Sequence, residues 1–337
     1  MTTINILNKY YIVFLEPASN KGIFTAQVKP FRSLGYEPII FYAKYSITRN
    51  LQIRKVNEDE FCGSVSSQKI ALPVISIMGL PSPISYLLLC LIALWNKDIK
   101  KIVRSGSKIR IRSLLLPSIL RFCYQKNTDV VDVRGIMHDE ARLMGRKFLT
   151  VQMARIIECH GINASIRLTA PTSGVASYLR RISKHKNIIA LPPYTYGEFR
   201  SQKSITEAIK PYKVVFLGTL SAWNNKENFK QLLSKYPTIT SVCLLGADQS
   251  TAEAISKEIG IMVTHKRVQH EDVFSELQAY KFGVILGSVD RYSLTDRTMV
   301  PSKLYEYLEA GLVPIIPSNC KSSKKFMNKE KLEYLEF

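Results

Sequence analysis

Short apolar runs and longer amphipathic stretches alternate along the chain in two rounds of the same rhythm. Residues 10–15 are aromatic and β-branched, the pattern of a strand. A small-residue loop over 16–22 follows, then helical spacing over 23–34, a stop at Gly35 and a second strand over 38–42. Strand, glycine-bearing loop, helix, strand opens a βαβ unit. Further strands are predicted over 129–133, 166–169 and 187–191, with a helix over 148–161 and a helix cap at Thr172-Ser173-Gly174. The most apolar stretch, 83–95, is shorter than the ~20 residues that cross a bilayer. It predicts a buried helix, with a face dipping into a membrane as the other reading. Leu191-Pro192-Pro193-Tyr194 reads as a stiff linker.

The rhythm then restarts. Strands are predicted over 213–217, 241–245, 261–264 and 283–286, alternating with helices over 227–236, 251–259 and 271–280. Regular alternation means a parallel sheet covered by helices. The 337 residues suffice for two ordinary domains, here 1–193 and 194–337. Hydrophobic content of 46% and charged content of 22% are those of a globular protein, but the net charge of +20 calls for an anionic partner: nucleic acid, an acidic membrane surface or phosphorylated substrates. Lys97, Lys100, Lys101, Arg104, Lys108, Arg110 and Arg112 form a basic run. It reads as a solvated face or an anionic-lipid contact, and it lacks the interleaved aromatics of a nucleic-acid surface. Six scattered cysteines with no Cys-x-x-Cys pair argue against a zinc site and a disulfide scaffold, and fit a reducing cytoplasm. Residues 1–8 lack the features of a signal peptide.

Candidate chemistry gathers after strand ends, where open α/β sheets place ligands. Asp132, Arg134, His138, Asp139 and Glu140 follow one strand and offer acids, a phosphate-capable guanidinium and a titratable imidazole. The alternative is a loop closed by internal salt bridges. Gly218 follows the first strand of the second half and lets backbone approach a phosphate. Most informative is Val300-Pro301-Ser302-Lys303-Leu304-Tyr305-Glu306-Tyr307-Leu308-Glu309-Ala310-Gly311, leading into Val313-Pro314-Ile315-Ile316. Pro301 is expected at the first helical position and Gly311 in a left-handed cap. Lys303 is a cation in the first turn, where the helix dipole favours negative charge. It becomes favourable when an anion is held by the free N–H groups, the Ser302 hydroxyl and Lys303, with Glu306 one turn on for ribose hydroxyls. The alternative is an i, i+3 surface ion pair worth a few tenths of a kcal/mol. Asp290 belongs to no Asp-x-Asp motif, and no metal is expected.

The segment from Pro301 to Gly311, with the Val-Pro-Ile-Ile strand behind it, resembles the nucleotide-sugar-binding segment of the group-1 retaining glycosyltransferases of GT-B fold. The resemblance implies two Rossmann-like domains whose parallel sheets face a central cleft. It implies donor phosphates on Lys303 and the ribose on Glu306. Many members carry a further Glu at the position of Thr298 and an Arg where this chain has Thr219; Lys226 is the candidate to supply that charge, and Arg291 is another phosphate contact. Lys21 and Gly22 would line the cleft. The Asp-x-Arg-Gly-x-x-x-Asp-Glu pattern is similar to one in surface-polysaccharide glycosyltransferases and implies Arg134, His138 and Asp139 as catalytic residues. The implied activity is transfer of a hexosyl group, with retention, from a nucleotide diphosphate sugar to a lipid-linked or polysaccharide acceptor. The implied place is the cytoplasmic face of the membrane, with no cofactor beyond the donor and no nucleic acid. A nucleotide-sugar 2-epimerase of the same fold and a non-enzymatic basic binding protein are the alternatives. Little chain follows Ile316, so a shortened second domain is expected.

Overall fold

The computed structural model describes residues 9–15, 37–47, 53–55, 68–76, 83–104, 108–112, 114–133, 135–183, 187–191, 214–218, 226–247, 249–268, 272–288 and 292–337. The expected helix over 23–34 and the pair Lys21 and Gly22 lie outside them. The chain forms two compact units, Met1–Arg142 with Arg146–Tyr194, and Leu143–Gly145 with Thr195–Phe337.

In the first unit, β1 (Lys9–Leu15), β2 (Glu37–Ile47), β3 (Ile53–Lys55), β4 (Gln68–Ser76), β5 (Lys108–Arg112), β6 (Thr128–Asp132), β7 (Ser165–Ala170) and β8 (Ile188–Ala190) build one sheet. Its order is β3-β2-β1-β5-β6-β7-β8, with β4 also paired to β2. Only β3 runs antiparallel to its neighbour; the other pairings are parallel. The order turns back between β1 and β5, as in a doubly wound sheet. The helix Pro83–Trp95 buries Tyr86, Cys90 and Ala93 against Ile109 and Ile111 of β5 and against Leu116, Ile119 and Leu120 of the helix Leu115–Tyr124. It is not the buried helix expected, because Leu87, Leu91 and Trp95 remain exposed. The basic run also divides, into the helix Lys97–Arg104 and strand β5.

In the second unit, β9 (Val214–Leu217), β10 (Ser241–Leu245), β11 (Met262–Lys266), β12 (Phe282–Val284), β13 (Val313–Ile316) and β14 (Leu335–Glu336) are all parallel, in the order β11-β10-β9-β12-β13-β14. Its central strands are covered on both faces and so read as unbroken apolar runs. Val214 and Phe216 join a core with Phe229, Leu232, Ala252 and Ile255, while Val215 faces Leu304, Tyr307 and Leu308. The expected helix over 271–280 contracts to Val273–Leu277. The chain beyond Ile316 is not a bare end: the helix Lys321–Lys329 returns it so that Leu335 and Glu336 pair with Ile315 and Ile316.

The helix Ser302–Glu309 is locked to this sheet by one side chain. The buried Tyr307 hydroxyl accepts from Leu217 N–H at 2.8 Å and donates to the Val284 carbonyl at 3.1 Å. Its ring lies flat on Gly283, where any Cβ would collide with ring carbons. At the far end Gly311 has φ 79°, and Leu312 N–H bonds Tyr307 O while Gly311 N–H bonds Leu308 O, the paired bonds of a Schellman cap. Tyr307→Phe keeps the ring but strands the Leu217 N–H. It is expected to cost about 1–3 kcal/mol, read as a lower urea midpoint at unchanged slope.

Candidate functional sites in the two units

The second unit gathers its chemistry where the helix Ser302–Glu309 meets the end of β9. Pro301 is the N-cap (φ −61°, ψ 143°), not the first helical residue as expected, and no side chain caps this end. Pro301 brings no hydroxyl or carboxylate to satisfy the first amides; Leu304 N–H bonds Pro301 O at 3.0 Å, and the dipole and the two amides ahead of it can face an anion. The helix has no acid in its first turn. Lys303 projects back from it, with Nζ 4.2 Å from the centroid of the Phe216 ring. Gly218 has φ 106°, so a side chain there would be strained, and its missing Cβ would stand in ordinary contact with Nζ at 3.6 Å. Burial lowers the Lys303 pKa to about 8, and the Glu306 carboxylate works the other way. Among the described residues Lys303 forms no ion pair; its seat is an aromatic face.

The neighbouring loop is fixed from several sides. Asn228 of the helix Lys226–Lys235 donates to the carbonyls of Leu286 and Gly287. Ser288 N–H reaches Asp296 Oδ2 at 2.7 Å, and Asn319 donates to Ser288 O at 2.7 Å. Thr298, at the position of the family's earlier Glu, spends its hydroxyl on Leu294 O at 2.6 Å. Ser302 and Glu306 are half-buried on the same helix. Thr219 and Arg291 lie outside the described residues. Lys226 opens its helix, and its side chain is not among those described.

In the first unit the charged segment after β6 separates into roles. Asp132 is buried and takes two bonds from Arg110, at 2.9 and 2.6 Å, and a third from Thr169. It ties β5, β6 and β7 together, and it removes Arg110 from the basic surface. Asp139 is buried and holds Arg142 at 2.7 Å. His138 Nδ1 lies 2.7 Å from Oε2 of Glu158, on the helix Phe148–Asn163. A carboxylate only accepts, so Nδ1 carries the proton and Nε2 is left as the reactive nitrogen. Tyr178 stacks on the imidazole at 6.1 Å between centroids, its hydroxyl 3.5 Å from Nδ1. Glu158 is buried and, among the described residues, its Oε1 has no hydrogen-bond partner. Glu140 lies against Gly135, where a Cβ would strike its carboxyl group. Burial first, then Glu158 and Asp139, raise its pKa to about 7. Sequence reasoning placed His138 here but gave Glu158 and Tyr178 no part, and Arg134 lies outside the described residues. His160 instead closes a chain from Tyr86 through Ser118, at 2.8 and 2.9 Å, that binds helices to one another.

Both shifted groups give signed pH effects. Lys303 titrates near pH 8 when folded, against an ordinary 10.5. Between those values the unfolded chain holds the extra proton, so stability from this position rises with pH across that window. Below pH 8 the burial penalty is fully present, about 3 kcal/mol before the ring's attraction offsets part of it. Lys303→Met is therefore expected to melt at or above the native temperature at pH 7, with the advantage shrinking toward pH 10.5. A melt several degrees lower at pH 7 would make Lys303 a structural group. Glu140 has the opposite sign. Between 4.5 and about 7 the folded protein keeps a proton that the unfolded chain has lost, and stability falls as pH rises. Glu140→Gln should change the melting temperature little at pH 4.5 and raise it at pH 8; equal shifts at both would discount the titration.

No protein-family model matches the chain, and no curated protein matches it in sequence. Solved structures do. The chain is similar to sucrose-phosphate synthase from Thermosynechococcus elongatus, with TM-score 0.62 and 12% identity over 92% of this chain and 82% of that one. It is similar to the apo lipopolysaccharide outer core galactosyltransferase WaaB, with TM-score 0.58 and 15% identity over 97% and 85%. It is also similar to HepE of Anabaena in complex with UDP and glucose, with TM-score 0.57 and 11% identity over 97% and 85%. At such identities the likeness is one of fold, and it agrees with the two doubly wound sheets. The chain has the GT-B fold of these glycosyltransferases, built of two Rossmann-like units.

Proposed function

We propose that the chain is a glycosyltransferase of the group-1 kind, moving a sugar from a nucleoside diphosphate to a lipid-linked or polysaccharide acceptor at an anionic membrane surface. The observation that carries this reading is a lysine that forms no ion pair among the described residues, seated on an aromatic face at a helix start whose N-cap is a proline, beside a left-handed glycine. The fold neighbours support it: HepE was solved with UDP, and an E. coli trehalose-6-phosphate protein with UDP-2-fluoro glucose.

In the reaction the bond from the sugar's anomeric carbon to the diphosphate breaks, a bond to an acceptor oxygen forms, and the acceptor hydroxyl loses its proton. Negative charge grows on the departing diphosphate. Lys303, the leading N–H groups of its helix and the Ser302 hydroxyl are assigned to that charge, as donors held in place before the reaction. Arg291, Lys226 and the Gly218-Thr219 turn are assigned to the same anion, and Glu306 to the ribose hydroxyls. In the first unit His138 is the proton-handling residue, its tautomer set by Glu158, with Arg134 and Asp139 in the same segment. The sequence resemblance supports retention of anomeric configuration.

Calorimetry with UDP, GDP, ADP and CMP derivatives tests the reading. Binding of at least one diphosphate is expected, weakened roughly ten- to a hundredfold by Lys303→Met, the worth of a charge-assisted hydrogen bond. Glu306→Gln should weaken nucleotides but spare free pyrophosphate. If none of these ligands binds at millimolar concentration, the proposal fails.

A further inference from the structure

The helix Pro83–Trp95 leaves Leu87 57%, Leu91 49% and Trp95 80% exposed. Spaced i, i+4, i+8, they fall within roughly 80° of one another around the helix axis. They form one apolar stripe, turned away from the buried Tyr86, Cys90 and Ala93. Asn96 then caps the next helix, its Oδ1 accepting from Ile99 N–H at 2.9 Å, so the helix Lys97–Arg104 begins immediately beyond Trp95. That helix buries Ile99 and exposes Lys97, Lys101 and Arg104, spaced i, i+4, i+7. Its sequence holds one acid, Asp98. Among the described residues none of the three exposed cations forms an ion pair, whereas Arg110 of the same basic run is consumed by Asp132. The adjacent helix Leu115–Tyr124 is held to the first by Tyr124 Oη on Ala93 O at 2.6 Å, and it too exposes an aromatic and a cation, Phe122 and Arg121.

We infer that Leu87, Leu91 and Trp95, with Lys97, Lys101 and Arg104 beside them, form a docking face for an anionic lipid bilayer. The helix Pro83–Trp95 would lie in the plane of the interface, its stripe among the upper acyl chains and the cations at the phosphates. Charge complementarity selects this occupant. Three exposed cations on one helix, in no ion pair among the described residues, repel one another but gain at a negative surface, where each contributes about a fivefold factor in binding. Tryptophan and leucine on one face with lysine and arginine beside them is the composition of a helix that rests on a membrane. A protein partner fits less well. Lysine is depleted in protein interfaces, and three side chains fall short of the about 800 Å² per partner that a stable one buries. The inference deepens the membrane part of the proposed function and is independent of its chemistry.

The chain has two tryptophans, so the full-length Trp223→Phe protein reports on Trp95 alone. Its emission should shift to the blue with vesicles of phosphatidylglycerol and phosphatidylcholine, and the protein should float with them in the absence of any sugar donor. Pure phosphatidylcholine should bind far less, and added salt should weaken binding. Combined Lys97→Glu, Lys101→Glu and Arg104→Glu should lower affinity at least about a hundredfold. Leu87→Ser with Leu91→Ser should also lower it, at an unchanged melting temperature. Absence of a blue shift and of flotation would overturn the inference, as would flotation indifferent to both sets of changes. So would a solution dimer that the serine variant dissolves, since a second copy would then be the occupant. Nucleotide calorimetry on the charge-reversed protein keeps the two proposals apart: it should bind nucleotide as the native chain does, and failure of either measurement leaves the other standing.

Discussion

The hydroxyl of Tyr307 is the constraint on which the second unit's geometry rests. It joins residues 90 positions apart, Leu217 and Tyr307, and reaches the end of a second strand through Val284. Gly283 makes the contact possible by having no side chain under the ring. Once Tyr307 is fixed, Lys303 one turn earlier on the same face can only point toward the end of β9, onto Phe216 and beside Gly218. The placement of one ammonium thus follows from hydrogen bonds at a tyrosine one turn away. The buried aromatic, the positive-φ glycine and the strand end behave as a single device.

The two units treat charge differently. In the first, Asp132 and Asp139 are buried beside guanidinium groups, and Glu158 beside an imidazole. Burying a carboxylate without a partner would cost several kcal/mol, and each partner comes from the same segment or an adjacent strand or helix. Glu140 departs from that pattern by retaining its proton into the neutral range. In the second unit a cation is half-buried over a ring and, among the described residues, forms no ion pair. A fold built only for stability would have little reason to keep such a group, which is why the lysine is the more informative of the two sites.

Much of this was legible in the sequence, because the signals were local. Alternating apolar runs located the second unit's strands, Gly311 marked the helix end, and Lys303 stood out against the dipole without any contact being known. What escaped notice depended on distant partners or on ambiguous composition. Strand β5 reads Lys-Ile-Arg-Ile-Arg, and its charges drew it into the basic run, although Ile109 and Ile111 are core and Arg110 serves Asp132. The two-residue β14 is too short to carry a pattern. Thirteen nearly uniform apolar residues in the helix Pro83–Trp95 gave no phase from which to tell an inner from an outer face. The His138–Glu158 pair spans 20 positions, from the helix Met137–Leu143 to the helix Phe148–Asn163, a distance at which spacing carries no information.

The aromatic seat of Lys303 has one more consequence, in the counting of protons. Near pH 8 about half of the empty sites lack the ammonium proton, since the group titrates there. An anion that settles against Nζ restores the ordinary affinity for that proton, so binding draws hydrogen ions from solution. The measured heat would then vary with the ionisation enthalpy of the buffer, and the grip would slacken as the medium turns alkaline. Under the proposed function, a hydrophobic ring beneath a lysine thereby makes the occupancy of the donor's anion site depend on the acidity of its surroundings.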